Sequence, residues 1–95
     1  MPEMRFTIRW PDGEREQCYS PSLVVKDYLT PGESYALADF LARIREALSI
    51  ASARVAARYG FSCSRAMAQL ARLEAAGRAY APHPEARVAV EAFEE

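Results

Sequence analysis

The sequence contains one histidine, one lysine, two cysteines and four glycines among its 95 residues, and each shortage removes a class of chemistry. A bound metal needs three or four converging ligands held by their own partners. His83, set between Pro82 and Pro84, and the distant Cys18 and Cys63 do not supply them. No metal and no cofactor is expected. No glycine-rich phosphate loop is present, and a Ser-His-acid set can be assembled only by using His83 in a loop. No stretch approaches the ~18 consecutive apolar residues of a membrane span. Met1-Pro2-Glu3-Met4-Arg5 lacks the basic and apolar regions of a secretory leader, which points to the cytoplasm. In that reducing compartment Cys18 and Cys63 stay as thiols. The expectation is a domain that binds a partner and catalyses nothing.

Half of the residues are hydrophobic and a quarter are charged, with the signs alternating, as in a folded globular chain. A chain this short buries only ~60–65% of its unfolded surface and supports one core. Residues 1–95 are therefore read as one domain: a hairpin and short helix over 1–35, a helical unit over 36–77 and a strand segment over 78–95. The net charge of −1 hides an asymmetry, since residues 36–90 carry eight arginines against four acids. That excess is modest beside the basic face of a nucleic-acid binder and fits a solvated, arginine-rich helical surface.

Met4, Phe6, Ile8 and Trp10 alternate with Arg5, Thr7 and Arg9, the period of a half-buried strand. Pro11-Asp12-Gly13 supplies a tight turn, and a polar edge strand over about Glu14–Tyr19 pairs back, with Glu14 and Glu16 facing Arg5 or Arg9. Ser20-Pro21 reads as an N-cap followed by a first-turn proline, so residues 22–29 form two helical turns, although Leu23, Val24, Val25 and Tyr28 suit a strand as well. Lys26-Asp27-Tyr28 is then a solvated helix face beside a core tyrosine. Leu37, Phe40, Leu41, Ile44 and Leu48 share one helical face. A second helix is expected over Ala51–Tyr59, closed by Gly60, and a third from Ser62 or Ser64 to about Ala76, closed by Gly77. Arg78-Ala79-Tyr80 is read as extended. A last strand, Arg87–Phe93, joins the N-terminal hairpin or folds back on Arg78–Tyr80. The fold class is α+β: an N-terminal hairpin and a C-terminal strand packed with three helices.

Residues 55–77, with the turn Tyr59-Gly60-Phe61-Ser62, Ala66 and Leu70 turned inward and Leu73-Glu74 before Gly77, resemble the helix-turn-helix of winged-helix regulators. The segment Arg78–Phe93 would be the wing. On that resemblance Cys63, Arg65, Met67, Ala68 and Arg72 face outward, and only the two arginines offer charge to base or phosphate. The tip Pro82-His83-Pro84-Glu85 carries no lysine or arginine. Short apolar side chains at Met67, Ala68 and Ala71 suit packing against polypeptide. Arg65, Met67, Ala68, Ala71 and Arg72 are therefore read as an interaction face for a protein partner or a second copy, with DNA as the alternative.

Taken whole, the chain also resembles a family of small bacterial nitrogen-starvation-response proteins encoded in nitrilase-containing gene clusters. The carrying segments are Met1–Met4, Arg9-Trp10-Pro11-Asp12-Gly13, Cys18-Tyr19-Ser20-Pro21-Ser22, Tyr59-Gly60-Phe61 with Cys63-Ser64, and Gln69-Leu70-Ala71. The resemblance implies a setting, nitrogen assimilation from nitrile or cyanide-like compounds, and implies no catalytic residue. A nitrilase is not implied, because no Glu-Lys-Cys constellation stands here on a chain long enough for that fold.

Two thiols complete the candidate sites. Cys63 precedes the third helix, whose free amides, with Arg58 or Arg65, would activate it as a reactive or sensing thiol. Cys18 ends the edge strand. The plainer reading of both is a small buried hydrophobe. Three functions follow in order: an accessory or regulatory binding protein, a winged-helix DNA binder, and a thiol-based redox component.

Overall fold

The computed structural model describes residues 2–95. Its elements are β1 (Met4–Arg9), β2 (Arg15–Ser20), a 3-10 turn (Leu23–Asp27), β3 (Ser34–Ala36), α1 (Leu37–Tyr59), α2 (Ser64–Arg78) and β4 (Arg87–Glu94). The strands form one antiparallel sheet in the order β2-β1-β4-β3. Both helices lie on one face of it, so the α+β class expected from the sequence is the class observed.

The hairpin closes as its turn chemistry requires. Gly13 takes φ of 91°, the Trp10 amide donates to the Glu14 carbonyl at 2.8 Å, and the Asp12 carboxylate accepts from the Glu14 amide at 2.9 Å. The alternation in β1 puts Met4, Phe6, Ile8 and Trp10 against the helices. Phe40, Ile44 and Leu48 of α1 and Leu70 and Leu73 of α2 meet them in a single core. Trp10 stands edge-on to Phe40 at 6.2 Å and stacks on Tyr80 at 5.8 Å. Each such ring pair adds about 0.5–1.5 kcal/mol beyond the area it buries. The opposite face of the sheet is polar, as an antiparallel sheet with one wet side allows.

Several expectations are corrected. The helical unit holds two helices and not three: α1 runs without a break from Leu37 to Tyr59, because no glycine or proline interrupts it and Ala51, Ser52 and Val55 continue the buried face of Ile44 and Leu48. Gly60 closes α1 as expected, with φ of 83°. Gly77 does not close α2. It is buried inside the helix, and a Cβ there would stand 2.9 Å from Leu41 Cδ1, so its missing side chain lets α2 lie close on α1. Cys63, not Ser62 or Ser64, occupies the N-cap position of α2.

Residues 22–29 resolve toward the helical side as a 3-10 turn, capped by Ser22 rather than Ser20; the Ser22 hydroxyl accepts from the Val24 amide at 3.3 Å. Arg78 belongs to α2, and the chain then passes through turns rather than an extended wing strand. β4 enters the sheet between β1 and β3, so residues 78–93 make no hairpin of their own. β3 was not expected. Three residues are too few to show alternation, and its pairing with residues 87–89 defines it. Glu16 stands opposite Ile8, on the helix side, rather than facing Arg5 or Arg9. Arg9 is instead opposite Arg15, and the Glu91 carboxylate takes both guanidinium groups at 2.8 Å.

Candidate functional site

The turn between α1 and α2 carries unusual exposed surface. Tyr59 and Phe61 are 53% and 68% exposed, although aromatic rings at a tight turn gain nothing from water. Gly60 forces the arrangement: the left-handed closing residue turns the chain out of α1 and leaves the two rings beside each other, their centroids 6.4 Å apart. Met67 is the third large apolar side chain left exposed, at 43%, and its amide bonds to the Cys63 carbonyl one turn back along α2.

Beside Phe61 a cleft of about 360 Å³ opens between two walls. Glu3, Tyr19 and Pro21 form the sheet wall, and Val55, Tyr59 and Cys63 form the helix wall with Phe61. Burial first, and the adjacent Glu3 carboxylate second, raise the Tyr19 hydroxyl above its ordinary pKa, so it is a neutral hydrogen-bonding group at physiological pH. The Cys63 amide bonds to the Ser52 hydroxyl at 3.3 Å, which ties the start of α2 to α1 and fixes the helix wall. On the sheet wall, the Ser20 hydroxyl donates to the Ser22 carbonyl at 2.7 Å and accepts from the Ser22 amide at 3.2 Å, and Arg54 Nη1 donates to the Ser22 hydroxyl at 2.9 Å.

A second, shallower groove adjoins the first through Tyr19 and runs along α2 past Arg65, Ala68, Gln69 and Arg72 to Glu16. Here the edge strand is sealed rather than free, since the Gln69 side chain accepts the Tyr19 amide at 2.9 Å. Glu16 accepts from Trp10 Nε1 at 2.9 Å and from Arg72 at 3.2 Å. The Arg65 guanidinium lies 3.8 Å from the Tyr19 ring centroid.

The five residues singled out from the sequence, Arg65, Met67, Ala68, Ala71 and Arg72, all lie exposed on α2. Both arginines are already engaged within the chain, Arg65 by an aromatic ring and Arg72 by a carboxylate. The two thiols are free and differ in setting. Cys18 is buried, and desolvation raises its thiol to about 12, with Glu16 adding in the same direction. Cys63 is half-buried and lines the cleft. Among the described residues no group of three or more histidine, cysteine or acidic side chains converges to hold a metal. His83 lies 4.0 Å from Glu85 and lines a separate pocket with Pro11, Asp12 and Tyr80.

Sequence reasoning passed over the cleft. Its walls come from residues 3, 19–21 and 55–63, which no local pattern connects. The one legible signal was the pair of aromatics flanking a helix-closing glycine, a position where polar residues are the rule.

These features define a two-layer α+β domain with a one-sided sheet and an open apolar cleft at the junction of its two helices. Within that class, the chain belongs to the family described as nitrogen starvation-induced protein NitG, whose model matches residues 5–93. No curated protein and no solved structure matches the chain. Among the described residues no helix is long and apolar enough to cross a membrane.

Proposed function

We propose that the protein is a non-catalytic accessory or regulatory component of the nitrogen-starvation response, working in the cytoplasm of a nitrile-utilising system through protein contact. The observation that carries this reading is the exposure of Tyr59 and Phe61 beside the cleft and of Met67, with Ala68 and Ala71, on α2. Aromatic and methionine side chains of this kind anchor protein interfaces, because they exchange large apolar area for little conformational entropy. The family to which the chain belongs supplies the physiological setting, and the likeness of its segments to proteins of nitrilase gene clusters supplies the nitrile context.

The test is complementation of a strain lacking the gene under nitrogen limitation. Phe61→Asp and Met67→Arg alter only exposed side chains, so both variants should stay folded and both should lose function. If both complement as well as the wild type, the reading is wrong. Cys63→Ser should complement fully, and failure there would transfer support to a thiol-based role.

A further inference from the structure

The sheet has two edges, and they differ in what an incoming strand would meet. β3 is three residues long and offers too little backbone to receive one. β2 is six residues long and is the edge that needs protection. The hairpin bond from the Trp10 amide to the Glu14 carbonyl sets the phase of the β1–β2 ladder. Glu16, Cys18 and Ser20 then share ladder bonds with Ile8, Phe6 and Met4, so the amides and carbonyls of Arg15, Gln17 and Tyr19 turn toward the open edge.

At Tyr19 that edge is already taken. Gln69 of α2 brings its Oε1 to 2.9 Å from the Tyr19 amide. A side-chain carboxamide carries the same acceptor as a peptide, so Gln69 stands where the carbonyl of an added strand would stand. Arg65 and Arg72 lie one turn to either side of it on the same flank of the helix. The first sets its guanidinium 3.8 Å from the Tyr19 ring centroid, and the second bonds to Glu16 at 3.2 Å, so α2 is held along β2 at three successive turns. A second copy pairing antiparallel about Gln17 would bring Arg15 of each chain opposite Tyr19 of the other. Both outer pairs would meet Gln69, and only the central one would be undisturbed.

We infer that Gln69 is an edge guard: by filling the acceptor position of the Tyr19 amide, it keeps β2 from pairing with β2 of a second copy. Arg65 and Arg72 hold the helix flank from which it acts. This role is separate from the proposed protein contact, because the guarded surface is the backbone of β2, whereas that contact is carried by the exposed side chains Tyr59, Phe61 and Met67.

Sedimentation velocity of Gln69→Ala over a rising concentration series tests it. The variant should self-associate at least about tenfold more tightly than the wild type, and its Gln17 and Tyr19 amides should exchange with solvent more slowly as concentration rises. Gln69→Glu keeps an acceptor at the same reach and should sediment as the wild type does. Gln17→Pro deletes an amide that β1 does not use, as an edge strand tolerates, and should abolish the association when combined with Gln69→Ala. Gly60→Ala, destabilised at a site away from the edge, controls for general loss of stability and should also match the wild type. The guard role is overturned if Gln69→Ala associates no more than the wild type, if Gly60→Ala associates as strongly, or if the combined variant still associates.

Discussion

At the scale of single residues, the two thiols should separate cleanly. Cys18 is held against Phe6 and the helices as a small apolar group, and its raised pKa means that it stays protonated far above neutrality. Native protein titrated with a thiol reagent at mildly alkaline pH should release one equivalent, from Cys63, and a second only after denaturation. The same burial links to stability. Between the unfolded value near 9 and the folded value of about 12, the unfolded chain loses the Cys18 proton while the folded chain keeps it. Stability is therefore fully present below pH 9 and falls as pH rises toward 12. Denaturant melts across that window should show the slope, and Cys18→Ala should reduce it, leaving the part due to Tyr19, Tyr28 and Tyr80, whose hydroxyls are also raised by burial. Gln69 offers a second test: Gln69→Ala strands the Tyr19 amide at a part-buried edge and should cost about 1 kcal/mol in chemical denaturation.

At the scale of elements, the helix pair depends on two glycines used in different ways. Gly60 has a positive φ, so Gly60→Ala should destabilise by about 1–2 kcal/mol even though open space surrounds its Cα. Gly77 has ordinary helical geometry and a crowded surrounding. The atom a Cβ would meet is a terminal methyl of Leu41, which can turn aside, and alanine gains about 1 kcal/mol of helix propensity. Gly77→Ala should thus leave the melting temperature nearly unchanged. Gly77→Leu should lower stability by about 1–3 kcal/mol through overpacking between α1 and α2. The single Trp10, buried between Phe40 and Tyr80, gives the fluorescence signal for both melts.

At the scale of the whole molecule, the arginine excess of residues 36–90 is partly offset by ion pairs. Arg43 and Arg45 pair with Asp39 and Glu74, Arg72 pairs with Glu16, and Arg87 bonds to Ser34. The three ion pairs contribute about 0–1 kcal/mol each to stability, and they weaken the field a polyanion would feel. Titration with generic duplex DNA at low salt should show no binding; steep, salt-dependent affinity would reinstate the DNA-binding alternative.

Local physics alone settled much of this chain. The alternation from Met4 to Trp10, the Pro11-Asp12-Gly13 turn, the apolar face of Leu37 to Leu48 and the left-handed close at Gly60 each depend on neighbours within a few residues, and each could be read directly. The outward aspect of Arg65, Met67, Ala68 and Arg72 came instead from the resemblance of residues 55–77 to a helix-turn-helix. Tertiary contact decided the rest. β3 is a strand only because β4 pairs with it, and β4 is central only because it pairs with β1 on its other side. Gly77 could be read as a helix end until Leu41, far away in sequence, supplied the reason for its small size. The cleft likewise exists only where Tyr19 and Pro21 meet Val55 and Phe61, residues joined by packing of the sheet against two helices and by nothing in the order of the chain.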